Sequence, residues 1–197
     1  TLFRTSKTEG IIAVSTAAAT LFIGIQEGIF LGVLASLLKT LYHYTRPHVA
    51  ELGLVPGTRL FMDIERNPDA HNIRNVLIIR VEASFSYINA DYFRDVILSK
   101  SKKKNKNTEY VIIDGSTINT MDSTAIEQLE IMVSTLRGWG MDLYITGLRG
   151  HIRDILTKSG FVDTLGEDHF FREPHEAVQY LLKITGDGAA RRGLVAG

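Results

Sequence analysis

The sequence predicts an α/β domain, its mostly parallel or mixed β-sheet covered by helices, preceded by a pair of apolar helices. Three observations carry that expectation. Residues 10–38 contain a single charged residue, Glu27. Beyond Pro47, short apolar runs alternate with amphipathic ones, the pattern of strands joined by helical crossovers. Finally, Val111-Ile-Ile-Asp114 runs through a polar turn into Asp122-Ser123-Thr124-Ala125 and an amphipathic segment. Hydroxyls and a carboxylate therefore stand where a helix leaves its first amide N–H groups unpaired.

The apolar segment comes first in the chain. As one helix its 29 residues would extend about 43 Å, too long for a ~30 Å hydrocarbon core without steep tilt. It would also leave Gln26 and Glu27 deep in lipid, where a charge costs several kcal/mol. A break at Gly24-Ile-Gln-Glu-Gly28 removes both difficulties and predicts two short helices, about 10–23 and 28–44. Arg4 and Lys7 precede the first, Lys39 and Arg46 close the second, and the break carries no Lys or Arg. Under the positive-inside rule both outer ends then face the cytoplasm. Gly10, Ala13, Ser15, Ala17, Ala18, Ala19, Gly28, Gly32 and Ala35 supply small residues for close helix contact. The run is too long for a signal-peptide core, and no small-residue cleavage site follows. A buried helical hairpin of a soluble protein is the competing reading. Each helix is short for a full span, so the chain reads as a fragment of a larger bundle.

Arg46-Pro47 ends the second helix, because the residue before proline is pushed out of the α region. Residues 47–57 are expected to be a linker, with a turn at Pro56-Gly57. Leu60, Met62 and Ile64 alternate as in a half-exposed edge strand. Val76–Val81, Tyr110–Ile113 and Met141–Thr146 read as buried strands, with a short fifth at Phe170-Phe171. Asn89 or Asp91 caps a helix reaching about Lys100. Ile126, Leu129, Val133 and Leu136 mark the stripe of a second helix ending near Gly138-Trp-Gly140. His151–Ser159 forms a third helix, stopped by Gly160, and Pro174 opens the last, through Ile184. The expected divisions are thus 1–46 helical hairpin, 47–57 linker, 58–185 α/β domain and 186–197 disordered tail.

Composition narrows the chemistry. Lys+Arg and Asp+Glu balance at 22 each, and cysteine is absent, which removes disulfides and thiolate catalysis. The six histidines show no ligand spacing, so no metal is expected. Without a GxxxxGK[ST] or GxGxxG loop, nucleotide binding lacks a motif. No cofactor, nucleic-acid partner or enzymatic activity is expected. Five of the seven residues from Lys100 to Lys106 are lysine. They read as a solvated loop, or as a weak contact with an anionic leaflet worth about 1 kcal/mol per lysine at most. Glu27, in its apolar setting, is a functional suspect by default.

The strand–turn–helix from Val111 to Ala125 resembles the STAS signature, in which an Asp-Ser/Thr-Ser/Thr-Gly/Ala sequence opens a helix. STAS domains form the anti-sigma-factor antagonists and the cytoplasmic tails of SulP-type anion transporters. Thr45-Arg-Pro-His48, Leu52-Gly53 and Pro56-Gly-Thr58 behind an apolar hairpin resemble the SulP junction. Arg80-Val-Glu-Ala83 and Asn89-Ala-Asp-Tyr-Phe-Arg94 resemble the strand and helix that follow it. The resemblance spans about residues 1–185. It implies a multi-pass integral membrane protein with a cytoplasmic STAS domain that assembles as a homodimer through both parts. Its substrate would be an inorganic anion, sulfate by default, bound on upstream helices outside this chain.

The motif residues are Asp114, Asp122, Ser123, Thr124, Ala125 and Glu127. Thr124-Ala-Ile-Glu127 fits a capping box, with the Thr hydroxyl on an amide and Glu127 reaching back. Asp122 and Ser123 are equally good cap types, and capping worth about 1 kcal/mol suffices to explain all three. By resemblance to the antagonists, Thr124 is the candidate phosphorylation site and Ser123 the backup. A phosphate there would add nearly two negative charges beside Asp122. The alternative to a transporter portion is therefore a stand-alone antagonist-like module controlled at Thr124.

Overall fold

A computed structural model describes residues 7–104 and 108–185. Arg4, Lys106 and the tail 186–197 lie outside the described residues. The chain divides after Arg46 into two compact units.

The first unit is a helical hairpin of α1 (Lys7–Phe22) and α2 (Ile25–Thr45). At 21 residues, α2 is long and apolar enough to cross a membrane, whereas the apolar part of α1, Gly10–Phe22, is shorter. The break is tighter than the sequence suggests. Gly24 alone reverses the chain, at φ 147°, and α2 starts at the next residue. Gln26 and Glu27 therefore belong to the first helical turn, where a carboxylate suits the partial positive charge of the unpaired N–H groups. A Cβ added at Gly24 would collide with the Glu27 carboxylate.

Small residues form the seam between α1 and α2. Gly28 is buried, and a Cβ there would come within 2.6 Å of Thr20 Cα. One turn on, a Cβ at Gly32 would lie 2.6 Å from Thr16 Cγ2. The Thr16 and Thr20 hydroxyls donate back along α1 to Ile12 O and Thr16 O, both at 2.8 Å, so close approach strands no polar group. Leu21, Phe22, Ile29, Phe30, Val33 and Leu37 all project from the hairpin surface.

The second unit is a six-stranded sheet in the order β2-β1-β3-β4-β5-β6. Its strands are β1 (Val49–Leu54), β2 (Phe61–Asp63), β3 (Val76–Val81), β4 (Tyr110–Asp114), β5 (Asp142–Thr146) and β6 (Phe170–Phe171). β1 runs antiparallel to both its neighbours, and β3 to β6 are mutually parallel. The expectation of a linker over 47–57 is thus corrected: most of it is an interior strand. Gly53 accommodates close packing there, since a Cβ would lie 2.8 Å from His71 O and from Ile64 Cγ2.

Strand alternation builds two cores. Leu77, Ile79, Val81, Val111, Ile113, Leu143 and Ile145 face α3 (Ala90–Lys104), α4 (Ser123–Gly138), α5 (Gly150–Lys158) and α6 (Phe161–Leu165). Phe93, Ile97, Met132 and Leu136 fill that side, each worth about 1.5–3 kcal/mol on burial. The opposite face packs Ala50, Leu52, Ile78, Ile112 and Tyr144 against Ala177, Val178 and Leu181 of α7 (Pro174–Ile184). A single 3-10 turn, Glu167–His169, leads into β6 and stacks His169 on Tyr144 at 4.6 Å.

This topology gives the sheet two distinct ends. The register pairs Val49 with Val81, and Glu82 N–H donates to His48 O at 3.1 Å. The polypeptide thus comes in from Pro47 at the end where β3, β4 and β5 finish. The helices that follow those strands also begin there.

Candidate functional site

The motif residues gather at that end of the sheet. Parallel register sets Arg80 beside Asp114, and Arg80 Nε donates to Asp114 Oδ2 at 2.9 Å. Asp114 is 3% exposed. Its other oxygen accepts from Ser116 N–H at 3.1 Å, so the buried carboxylate is satisfied on both sides. Gly147, at φ 72°, makes room for it: a Cβ there would sit 3.0 Å from Asp114 Oδ1. Gly115 N–H donates to Thr146 O at 2.8 Å, joining the start of the turn to the next strand.

The turn itself is pinned from several directions. Thr117 Oγ1 donates to Val81 O. Phe85 N–H donates to Thr120 O at 3.1 Å, and Phe85 bridges Met121. His151 Nε2 meets Asn119 O at 2.8 Å. Ile118 and Met121 are buried.

Asp122 is the cap of α4. Its backbone is extended and its Oδ1 accepts from Ala125 N–H at 2.9 Å. Its Oδ2 accepts from Tyr87 N–H at 2.8 Å. One carboxylate therefore ties the first turn of α4 to the β3–α3 loop. The expected capping box is corrected: Thr124 is the second residue of the helix and Glu127 is exposed. Three consecutive cap-type residues compete here, and the loop carrying Tyr87 selects Asp122. Ser123 is exposed and Thr124 half-buried, while Ala125 is fully buried against the core.

Two residues that the sequence did not connect with this motif belong to the site. Arg80 is found only through strand register, since 34 positions separate it from Asp114. Tyr87 is 73% exposed and projects beside the start of α4. Its loop is held by Asn89, which accepts from Ser86 N–H and donates to Ser84 O, both at 3.0 Å.

The start of α4 and the β3–α3 loop form the surface at this end of the sheet. The space beneath it, lined by Val81, Phe85, Phe93, Ile113, Met121 and Leu148 among others, is wholly apolar and about 10 Å³, the size limit for one water. Among the described residues no group of three or more His, Asp or Glu side chains is placed to hold a metal ion. The arrangement offers an exposed hydroxyl, a helix start and an exposed aromatic ring.

Residues 67–177, more than half of the chain, match the family described as STAS domain. A probable sulfate transporter 4.2 of Arabidopsis thaliana is 29% identical over 187 residues, covering 90% of this chain and 28% of that protein. A probable sulfate transporter of Mycobacterium tuberculosis is 28% identical over 178 residues, covering 90% of this chain and 32% of its own length. This chain thus spans about a third or less of such relatives. Among solved structures, the murine Solute Carrier 26 family member A9 anion transporter in the inward-facing state superposes with a TM-score of 0.74. That superposition runs at 21% identity and covers 91% of this chain and 29% of the other.

Proposed function

The chain belongs to the STAS-domain family, and from that premise we propose that it is the membrane hairpin and cytoplasmic STAS portion of a SulP-type inorganic anion transporter. Sulfate is the first-choice substrate. One observation carries the reading: the similarity to sulfate transporters covers 90% of the chain, more than the unit beyond Arg46 contains, so it takes in the hairpin. The apolar surface of α2 supports it. Phe30 and Leu37 are 66% and 62% exposed, the side chains of a helix meant for lipid or for other helices. A stand-alone antagonist-like module would leave that surface in water.

In this reading the STAS domain does no chemistry. It supports assembly as a homodimer and regulation of a substrate path built elsewhere in the full protein. Control at the start of α4 fits the same scheme. A phosphate on Thr124, or on the more exposed Ser123, would place its charge beside the Asp122 carboxylate and strain both bonds that Asp122 makes. Transport is tested with the full-length protein in proteoliposomes, where saturable sulfate uptake is expected. For this chain alone, membranes washed with alkaline carbonate should retain it. Release into the soluble fraction would refute membrane insertion.

A further inference from the structure

The end of the sheet at which β3 and β4 begin holds a cavity that the proposed function leaves unused. It lies between the first residues of those strands and the last turn of α7, and its volume is about 220 Å³. Val76, Leu181 and Leu182 line it with apolar surface, and Arg74, Glu109 and Tyr110 with polar groups. Backbone bonds fix where the two charges stand. The Asn75 carbonyl, on a residue at φ 62°, accepts from Glu109 N–H at 3.0 Å and from Tyr110 N–H at 3.1 Å. Arg74 and Glu109 are thereby held at neighbouring strand entries. Both are exposed, and they form an ion pair neither with each other nor with any other described residue. Tyr110 is half-buried. Burial, then the charges of Glu109 and Asp142, push its phenol above the usual value, so it remains an O–H donor at neutral pH. Solvation explains either exposed charge alone. It does not explain a cavity with an apolar lining beside them.

The lining selects the chemistry of an occupant. A guanidinium takes a carboxylate through paired N–H bonds, and a carboxylate takes an ammonium. Val76, Leu181 and Leu182 suit a compact aliphatic group. A simple anion would be repelled by Glu109 and a simple cation by Arg74, whereas a zwitterion satisfies both. Size sets an upper bound, because drug-sized ligands fill about 300–1,000 Å³ and this cavity is smaller. We propose that it binds a free α-amino acid with a branched aliphatic side chain. The carboxylate lies on Arg74, the ammonium on Glu109 and the side chain on Val76, Leu181 and Leu182. The site belongs wholly to the α/β unit, so it holds whether or not the chain is part of a transporter. An occupant would tie the end of α7 to the entries of β3 and β4.

Leucine is the probe. Calorimetric titration of the full chain in detergent should give a Kd below about 1 mM, modest for so small a ligand. Amide resonances of Asn75, Tyr110 and Leu182 should move, and those of Ser123 and Thr124 should not. 4-Methylpentanoate lacks the ammonium and isopentylamine lacks the carboxylate; each should bind at least about tenfold more weakly, because one charged partner is lost. Glycine should lose a similar factor for want of an apolar side chain. Arg74→Gln and Glu109→Gln should each weaken leucine binding about tenfold or more. Lys183→Gln, on the same helix as Leu181 and exposed, should leave it unchanged. The analogue series needs no variant, so it tests the same contacts on a chain of unaltered fold. Absence of heat and of resonance shifts up to about 10 mM leucine overturns the proposal. So does 4-methylpentanoate binding as tightly as leucine, or leucine binding that survives both substitutions.

Discussion

Replacing Asp122 by Ala removes two bonds with one carboxylate. Loss of the cap on Ala125 N–H costs about 1 kcal/mol. Loss of the bond from Tyr87 N–H costs a further 1–2 kcal/mol or so, the lower part of the range for charged acceptors because Asp122 is partly exposed. The expected total is about 2–3 kcal/mol. For a domain of this size that corresponds to a fall in Tm of roughly 4–12 °C. Urea unfolding of the full chain in detergent, followed by Trp139 fluorescence, measures the loss. Hydrogen exchange at Tyr87 should accelerate in the same variant, because its amide loses its partner. Asp122→Asn, which keeps an acceptor oxygen, should lose about half as much. Thr124→Ala should stay within about 0.5 kcal/mol of wild type. If instead Thr124→Ala costs more than Asp122→Ala, and Tyr87 exchange is unchanged, then Thr124 caps the helix and Asp122 does not tie the loop.

Three further outcomes follow from other contacts. Asp114→Ala strands Arg80 and the Ser116 amide and should cost about 2–4 kcal/mol; a double-mutant cycle with Arg80→Ala should show coupling above about 0.5 kcal/mol, and strict additivity would deny the ion pair its role. At Asp63, burial is the largest single influence and pushes the carboxyl up, but the Glu65 amide, His48 and Arg66 together hold it below the usual value. Its contribution is therefore present above the unfolded-state value of about 4 and lost as pH falls through the lower folded value. Asp63→Asn should flatten acid unfolding in that window, and parallel curves for variant and wild type would contradict this. Gly28→Val drives a side chain into the Thr20 backbone and should cost the hairpin about 1–3 kcal/mol, seen as faster hydrogen exchange along α1 in detergent.

The parts of this fold that could be read from sequence are those whose local pattern and tertiary setting agree. β3, β4 and β5 are continuous apolar runs because both faces of the sheet are covered, and α4 shows its stripe because one face is buried. β1 was hidden: Ala50, Glu51 and Gly53 are poor strand formers, and the strand exists because β2 and β3 flank it. α6, five residues long, is too short to show a period. The Gly24-to-Gly28 region looked like a polar turn, because spacing alone does not reveal that one glycine at positive φ suffices. At the site, the cap position was visible but its occupant was not. Phe85 bridges Met121 on the same loop whose Tyr87 N–H reaches Asp122. The Arg80–Asp114 pair is likewise a product of register. Family resemblance supplied the motif, and geometry supplied its bonding.

Because β1 is an interior strand, a force applied at Pro47 is carried mechanically into the middle of the domain. Three register pairs with β2 and four with β3 lie along it. Tension directed along the strand loads those pairs together in shear, rather than peeling them one after another. The neighbouring β3 passes the load through Arg80 to Asp114, at the base of the turn that leads to α4.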